Sequence, residues 1–579
     1  VAYRSLVPVR SQTYSTAMLL ALAKGKFIAP IVFSFFLLCI HLPGVAQSLD
    51  MEMAKKAYAD NVDDRGLTTF RNGAKAGMKT MVFYPPSKLY QRGEDRSQGN
   101  IEDSSSTSMR APNDLGYASS TLKARGHLVL LKDYQSENLS YSNLESDLLE
   151  FKPDAIFVSI TNATIFDDLE IINKLVAHNK SLVIIIKGAL FFNPDKLMLN
   201  LLSLENIDYL VGGESDFIVA DLIESHFENK NNLKNIRGIS FKENNKWTKT
   251  DFTTWEKDLD NLVLPDRSEI KNSLYVRPDT GEAQATIITS RGCPSKCVFC
   301  LTPTISGTKL RLRTPANIHD EILECYNKHN IKNFFFRSDT FTIDRKWVEE
   351  LCKLLIGSKL QNKISWVANS RVKPLQQETL NIMKDAGCWL VAFGYESGSR
   401  ESLEKIKKGC SLEDNLIANE YAKKSGLKTF GFFLIGLPWE DFSHLNETKK
   451  LIYKLDSDFI EIHLAVPYYG TPLYELAKEE GLIEESVLGK DYFNAPTIGT
   501  KYLTMDQIEK FKRNILLLYH IRPKYIMNRM IEASSNYKIF INYSKYGLRL
   551  LKKNLFRKKH KSTILLTNNQ THFDKGKIA

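Results

Sequence analysis

Three cysteines, Cys293, Cys297 and Cys300, fall in the pattern C-x3-C-x2-C, inside the stretch Arg291–Gly292–Cys293–Pro294–Ser295–Lys296–Cys297–Val298–Phe299–Cys300. Thiolates held this close on one short segment suit a metal centre. Zinc normally takes four ligands, and no fourth cysteine or histidine stands at finger-like spacing. A redox C-x2-C pair leaves Cys293 without a part. A [4Fe-4S] cluster on three thiolates leaves one iron open to a substrate. No cysteine lies between Cys39 and Cys293, so the eight do not read as a disulfide framework and favour a reducing compartment. Cys325, Cys352 and Cys388 fall within or just after expected helices and read as packing residues. Cys410, near Lys407–Lys408–Gly409, stands apart from the triad.

The triad follows an apolar run, Ala285–Thr289, that reads as a strand. Five more strand–helix units follow, with strands expected at Asn333–Arg337, Ile364–Asn369, Trp389–Gly394, Lys428–Ile435 and Phe459–Val466. Helices are expected between them, Lys346–Ile356 among them with Asp344 as its N-cap, and Gly387 closing another. Repeated units of this length imply parallel strands with right-handed crossovers, hence a partial (β/α)6 TIM-type barrel. Function then belongs at the carboxyl ends of the strands, where the triad falls.

Upstream, apolar strands at Met81–Pro86, Leu128–Leu131, Asp154–Ile160, Leu182–Gly188 and Tyr209–Gly213 alternate with helical patterns. That alternation predicts an α/β domain with a doubly wound parallel sheet. A small hairpin is expected around Glu243–Asn244–Asn245. The expected organisation is a leader over residues 1–77, a doubly wound domain over 78–228, a linker with small strands over 229–281, a core domain over 282–490, and a helical carboxyl-terminal region with a basic tail over 491–579.

The triad, with Phe299 before its last cysteine, resembles the radical S-adenosylmethionine (SAM) superfamily, whose hallmark is C-x3-C-x2-C. The later strand ends carry matching motifs. These are Ser338–Asp339 after the second strand and Arg371 after the third. Gly394–Tyr395–Glu396–Ser397–Gly398–Ser399 follows the fourth, Gly436–Leu437–Pro438–Trp439–Glu440 the fifth, and Pro467–Tyr474 the sixth. The resemblance implies a [4Fe-4S] cluster on Cys293, Cys297 and Cys300. It places Phe299 near the adenine of SAM, Ser338 and Asp339 near its methionine part, and Arg371 beside it. Gly394, Glu396 and Ser397 would bond SAM or orient a charged substrate, while Gly436 and Pro438 would line the adenine side.

The upstream domain, with Pro85–Pro86, Leu115–Gly116–Tyr117, Gly126–His127, Pro153–Asp154 and Gly212–Gly213–Glu214, is similar to the cobalamin-binding domain that precedes many radical enzymes. It lacks the D-x-H-x-x-G signature after the first strand, and His127 reads as a surface residue, so no histidine is expected on the cobalt. The resemblance implies reductive cleavage of SAM to a 5′-deoxyadenosyl radical, used for cobalamin-dependent methylation of an unactivated carbon. The alternative is radical cyclisation or rearrangement of a porphyrin-like or lipid-like substrate. Methylthiolation is disfavoured, because it calls for an upstream cysteine trio that this sequence lacks. Outside enzymes, the triad would serve a metal-stabilised scaffold. The implied partners are a small-molecule substrate and a one-electron reductant such as flavodoxin or ferredoxin.

The chain has 579 residues, 43% hydrophobic and 25% charged, enough for several cores. Much of its formal charge of +11 lies in Ile541–Ala579, where ten Lys/Arg face one acid, Asp574. With Leu548, Leu550, Leu551, Leu555 and Phe556 interspersed, that segment reads either as a membrane-surface or polyanion contact, or as a solvated tail. No RNA-binding module is apparent, and no nucleic acid is expected. Near the start, Lys24 and Lys26 precede an apolar run, Phe27–Leu38, with small residues at Gly44–Val45–Ala46, a signal-like pattern. The competing expectation is a non-native leader, with Met78 or Met81 as the natural start. Oxygen-labile chemistry tips the expected location to the cytoplasm.

Overall fold

The computed structural model describes residues 77–90, 109–192, 199, 202–483, 488–490, 495–534 and 536–555. Residues 1–76 of the expected leader, and the part of the basic tail beyond residue 555, lie outside them.

The first sheet has the parallel order β2-β1-β3-β4-β5, built from β1 (Lys79–Tyr84), β2 (Leu128–Asp133), β3 (Ala155–Ser159), β4 (Val183–Lys187) and β5 (Tyr209–Val211). Its connections include α1 (Asn113–Ala124), α2 (Tyr141–Phe151), α3 (Ile165–Val176) and α4 (Ser215–Glu228). Strand periodicity sorts the side chains into two cores. Met81, Phe83, Ile156, Val158, Ile184 and Ile186 face α2 and α3 through Leu144, Leu148, Leu169 and Ile172. Val82, Tyr84, Ala155, Phe157, Val183 and Ile185 face α1 and α4 through Leu115, Leu122, Val219 and Leu222. This is the expected doubly wound domain. Its chain reverses direction across the sheet between β1 and β3, where such sheets bind ligands at their carboxyl ends.

The expected hairpin forms as β6 (Ile239–Glu243) and β7 (Lys246–Lys249). It is part of the first sheet, because β6 pairs antiparallel with β5. The sheet is therefore mixed at one edge and seven strands wide. His127, expected on the surface, is buried. One ring nitrogen accepts from the Met78 amide at 3.2 Å and the other lies 3.2 Å from Glu224. Met78 precedes β1, so the ring sits at the end of the sheet opposite the ligand-binding edge.

The second sheet contains six parallel strands in the order β15-β14-β13-β12-β11-β8. They are β8 (Gln284–Ile288), β11 (Asn333–Arg337), β12 (Ser365–Ser370), β13 (Cys388–Glu396), β14 (Lys428–Ile435) and β15 (Phe459–Leu464). The order follows the chain and β15 does not pair with β8, so the barrel is open, as expected. A two-stranded ribbon of β9 (Ser290–Arg291) and β10 (Arg311–Leu312) interrupts the first crossover, together with the short α5 (Thr302–Ser306).

Outside the strands lie α6 (Pro315–His329), α7 (Arg345–Gly357), α8 (Gln377–Asp385), α9 (Arg400–Lys405), α10 (Leu412–Lys424) and α11 (Phe442–Leu455). Their starts are chemically marked. Asp344 accepts from the Trp347 amide at 3.1 Å, as its N-cap position predicts, and Ser411 and Asp414 form a capping box. Phe334, Phe336, Trp366, Val391, Phe393, Phe433 and Ile462 form the core against these helices. On β14 and β15 the alternate residues Phe430, Phe432, Glu461 and His463 are only partly buried and look the other way. Cys325, Cys352 and Cys388 are buried in the helix-side core, as expected of packing residues. The chain continues through α12 (Pro472–Glu479) to α13 (Met505–His520), α14 (Pro523–Ala533) and α15 (Tyr537–Leu555).

Candidate active site at the junction of the two sheets

The cysteine stretch leaves the carboxyl end of β8 and is held from several sides. Gly292 adopts φ +84°, and a Cβ there would stand 2.1 Å from the Lys309 carbonyl oxygen, so only glycine fits before Cys293. The Gly292 amide donates to Asp339 Oδ2 at 2.9 Å, and the Cys293 amide to the Gly307 carbonyl at 3.1 Å. Farther along, the Val298 amide donates to the Ile406 carbonyl at 3.1 Å, and the Val298 carbonyl accepts from Leu473 at 2.9 Å. The Cys300 thiol donates to the Thr302 hydroxyl at 3.3 Å, and that hydroxyl donates to Asp339 Oδ1, also at 3.3 Å.

The remaining expected site residues divide into those at this loop and those packed elsewhere. Arg371 bonds the Ser295 hydroxyl and donates to the Lys408 carbonyl at 2.5 Å. Lys408, buried, places its ammonium 2.5 Å from both Glu396 Oε1 and the Gly394 carbonyl. Glu396 adopts φ +61°, a left-handed conformation unusual for a residue with a Cβ. Phe299 packs with Val298, Leu403, Leu437 and Leu473 below the ends of the later strands. Ser338 is buried, its hydroxyl 2.6 Å from that of Ser290.

Ser397 points away from the loop. It is fully buried, with its hydroxyl 3.1 Å from that of Thr448 on α11. Gly436, at φ +86°, donates its amide to Glu440 Oε2 at 2.8 Å, and the next amide, of Leu437, reaches the same oxygen at 3.1 Å. Pro438 is buried and its carbonyl accepts from Lys501 at 2.9 Å.

Burial pushes the Cys297 thiol up to about 12, with Cys300 and Glu396 adding to the rise while Lys408 and Arg371 oppose it. Among the described residues no three His, Cys, Asp or Glu side chains stand at metal-binding spacing. The fit to iron therefore comes from donor type: three thiols on one anchored loop, with two cations close by to offset thiolate charge.

Across from the loop stands the ligand-binding edge of the first sheet. Residues of both domains, among them Asp114, Lys187, Glu214, Asp216, Arg291, Arg337 and Asp339, line a common cleft. Asp114 is buried beneath β1, β3 and β4. It accepts from the Tyr84 hydroxyl at 2.5 Å and the Ser159 hydroxyl at 2.8 Å, with Lys187 Nζ at 3.3 Å. Burial pushes its carboxyl up, and Lys187 with the two hydroxyls outweighs this to hold it below the usual carboxylate range. Arg291, two residues before Cys293, reaches Asp216 at 2.5 Å on α4.

Residues 287–452 match the model of the Radical SAM superfamily. The chain therefore carries a radical SAM domain. Its radical SAM domain implies a [4Fe-4S] cluster and SAM as cofactors. An uncharacterised methyltransferase of Pyrococcus horikoshii is 29% identical over 422 residues, 73% of this chain and 90% of that protein. An anaerobic magnesium-protoporphyrin IX monomethyl ester cyclase of Cereibacter sphaeroides is 23% identical, over 65% of this chain and 61% of the cyclase. The two-domain fold is shared with the radical SAM methyltransferase TsrM of Kitasatospora setae, solved with cobalamin and a [4Fe-4S] cluster bound. The match has a TM-score of 0.57 at 17% identity and covers 71% of this chain and 79% of that one.

Lys408 has no site role in the motif reading, and neither does the Arg291 pairing. Lys408 lies beside Cys410 in sequence, and only its distance to Glu396 in the folded chain separates it from an ordinary surface lysine. Glu214 was legible as part of Gly212–Gly213–Glu214, but its arginine partners lie far along the chain.

Proposed function

We propose that this radical SAM enzyme transfers a methyl group from cobalamin, bound at the ligand-binding edge of the first sheet, to an unactivated carbon of a small molecule held in the common cleft. One observation carries the reading: Lys187 at the carboxyl end of β4, the start of α4 and the Ser290–Arg291 segment that leads into the cysteine loop line the same cleft. When bound, the cluster supplies reductive cleavage of SAM to a 5′-deoxyadenosyl radical, and the cobalamin supplies a transferable methyl group.

The chain's own residues bind, orient and shield. Cys293, Cys297 and Cys300 hold the cluster. Asp339 fixes Gly292 and Thr302, and so the loop's first turn. Arg371 fixes Ser295 and the Lys408 carbonyl. Lys408 then presents Glu396 to the charged end of SAM, while Phe299 offers an apolar face to its adenine. Gly436 and Pro438 support the adenine side through the turn that Glu440 holds. Ser397 and Ser338 keep the backbone of their strand ends in place. No histidine lines the cleft among the described residues, and Asp114 and Lys187 would be among the groups that hold the cobalamin there.

The test is anaerobic reconstitution with iron, sulfide, hydroxocobalamin, SAM and a one-electron reductant such as flavodoxin. Cluster absorbance, bound cobalamin and 5′-deoxyadenosine with S-adenosylhomocysteine are expected. Absence of the cluster and of 5′-deoxyadenosine would sink the radical reading, and a metal-stabilised scaffold would then stand. A cluster without cobalamin would sink the methyl transfer alone. Ring closure on a porphyrin-like substrate is the second reading, supported by the likeness to the cyclase. Its mark is 5′-deoxyadenosine without S-adenosylhomocysteine.

A further inference from the structure

Helix α13 runs from the Gly436 turn to Ser457, and α14 and α15 follow it at the amino-terminal end of the barrel, opposite the strand ends that carry the cysteines. Arg529 of α14 reaches Asp458, just before β15, at 2.9 Å, and Glu532 pairs with Lys428, the first residue of β14. Asn542 of α15 donates to the Asp279 carbonyl, upstream of β8, at 2.9 Å. These bonds use one side of each helix.

The other side shows an apolar ridge. On α14, Met527, Met530 and Ile531 are 57%, 47% and 64% exposed. On α15, Tyr537, Ile541 and Leu548 are 72%, 43% and 42% exposed, at i, i+4 and i+11. A second ridge of exposed Lys538, Lys545, Arg549 and Lys552 runs beside it. No acid occurs in α15, and from Arg522 to Lys561 twelve Lys/Arg face a single acid, Glu532.

We propose that the exposed face of α14 and α15 docks the enzyme on an anionic lipid bilayer. The apolar ridge seats at the acyl boundary while the cationic ridge meets the headgroup phosphates. Charge selects this occupant. A second copy would bring two cationic ridges together, and a nucleic acid would leave the exposed methionines and isoleucine in water. Among the described residues no helix is long and apolar enough to cross a membrane, so the attachment lies on the surface. Because the docked face is at the amino ends of the strands, the cleft stays on the side away from the lipid.

Full-length protein is sedimented with vesicles of phosphatidylcholine alone, or with phosphatidylglycerol added, across a salt series. Binding is expected only with the anionic lipid and is expected to weaken with salt. The double substitution Lys545→Glu with Arg549→Glu should weaken it by about tenfold or more, and Ile541→Asp with Leu548→Asp by a similar factor, with the thermal midpoint unchanged. Equal binding to neutral vesicles, or none to anionic ones, overturns the proposal. So does a dimer in light scattering that Ile541→Asp dissociates, or RNA binding that is insensitive to Ile541→Asp. Should the aspartate variants misfold, the lipid-charge and salt dependence of the unaltered protein decides.

Discussion

Glu214, at the start of α4 in the first domain, grips Arg311 of the β9–β10 ribbon through hydrogen bonds of 2.7 and 3.0 Å. Both side chains are buried, and the ribbon's other strand ends at Arg291, which α4 holds through Asp216. The two acids therefore clamp the segment that leads into Cys293. Glu214→Ala leaves the Arg311 guanidinium buried with carbonyl acceptors only, and should cost about 3 kcal/mol of stability. Urea denaturation checks this; an unchanged midpoint would show that the clamp is not structural.

The cluster assignment separates the cysteines cleanly. Cys293→Ala, Cys297→Ala and Cys300→Ala should each retain less than about a tenth of the iron and visible absorbance of the parent after anaerobic reconstitution. Cys410→Ser, close by but off the loop, should keep both. Iron retention by any of the three alanine variants would contradict the ligand set.

Much of this was legible in the sequence, for identifiable reasons. Strands such as Val183–Lys187 are buried on both faces and so read as unbroken apolar runs. The motifs follow strand ends, and barrel topology alone brings those ends together. The hairpin around Asn244 was legible as a hairpin, yet its pairing with β5 was not, because an antiparallel edge leaves no local mark. His127 looked like a surface residue because its partners, Met78 and Glu224, are remote in sequence. Ser397 shares a motif with Glu396, but it lies just past the end of β13 and its hydroxyl sits against Thr448. Long-range pairing of single polar residues is what local patterns do not encode.

The Lys408–Glu396 pair allows charge and geometry to be separated. Lys408→Met strands a partly buried carboxylate next to the cysteine loop, so stability should fall by about 2 kcal/mol, and 5′-deoxyadenosine formation by about a hundredfold. Adding Glu396→Gln removes the stranded charge. The double variant should recover most of the stability while its KM for SAM stays high. Recovery of both would show that the pair only supports the fold.

Gly436 turns at φ +86° into the Glu440-held loop, a conformation costly to a side chain. A Cβ there meets nothing closer than Ile508 Cγ2 at 3.4 Å, an ordinary contact. The cost of Gly436→Ala is therefore conformational, about 1–2 kcal/mol, and Gly436→Asn should cost less, since asparagine tolerates this region. Thermal unfolding of the two variants distinguishes strain from clash; equal losses would point to clash.

Glu440 gives a pH dependence with a definite sign. Fully buried, it is pushed by desolvation up to about 7, against the Leu437 amide, the Ser402 hydroxyl and the Gly436 amide, which favour the carboxylate. Its folded pKa lies above its unfolded value, so the folded state binds the proton more tightly. The resulting stability is fully present below the ordinary carboxylate pKa, and is lost as pH rises through about 7. Across that window the loss amounts to about 3 kcal/mol. Glu440→Gln keeps a carbonyl for the two amides, lets Ser402 accept instead of donate, and cannot ionise. Its stability should match the parent near pH 5, exceed it near pH 8, and vary less between them. Urea midpoints at the two pH values measure the difference, and a parent that gains stability from pH 5 to 8 relative to Glu440→Gln would reverse the sign.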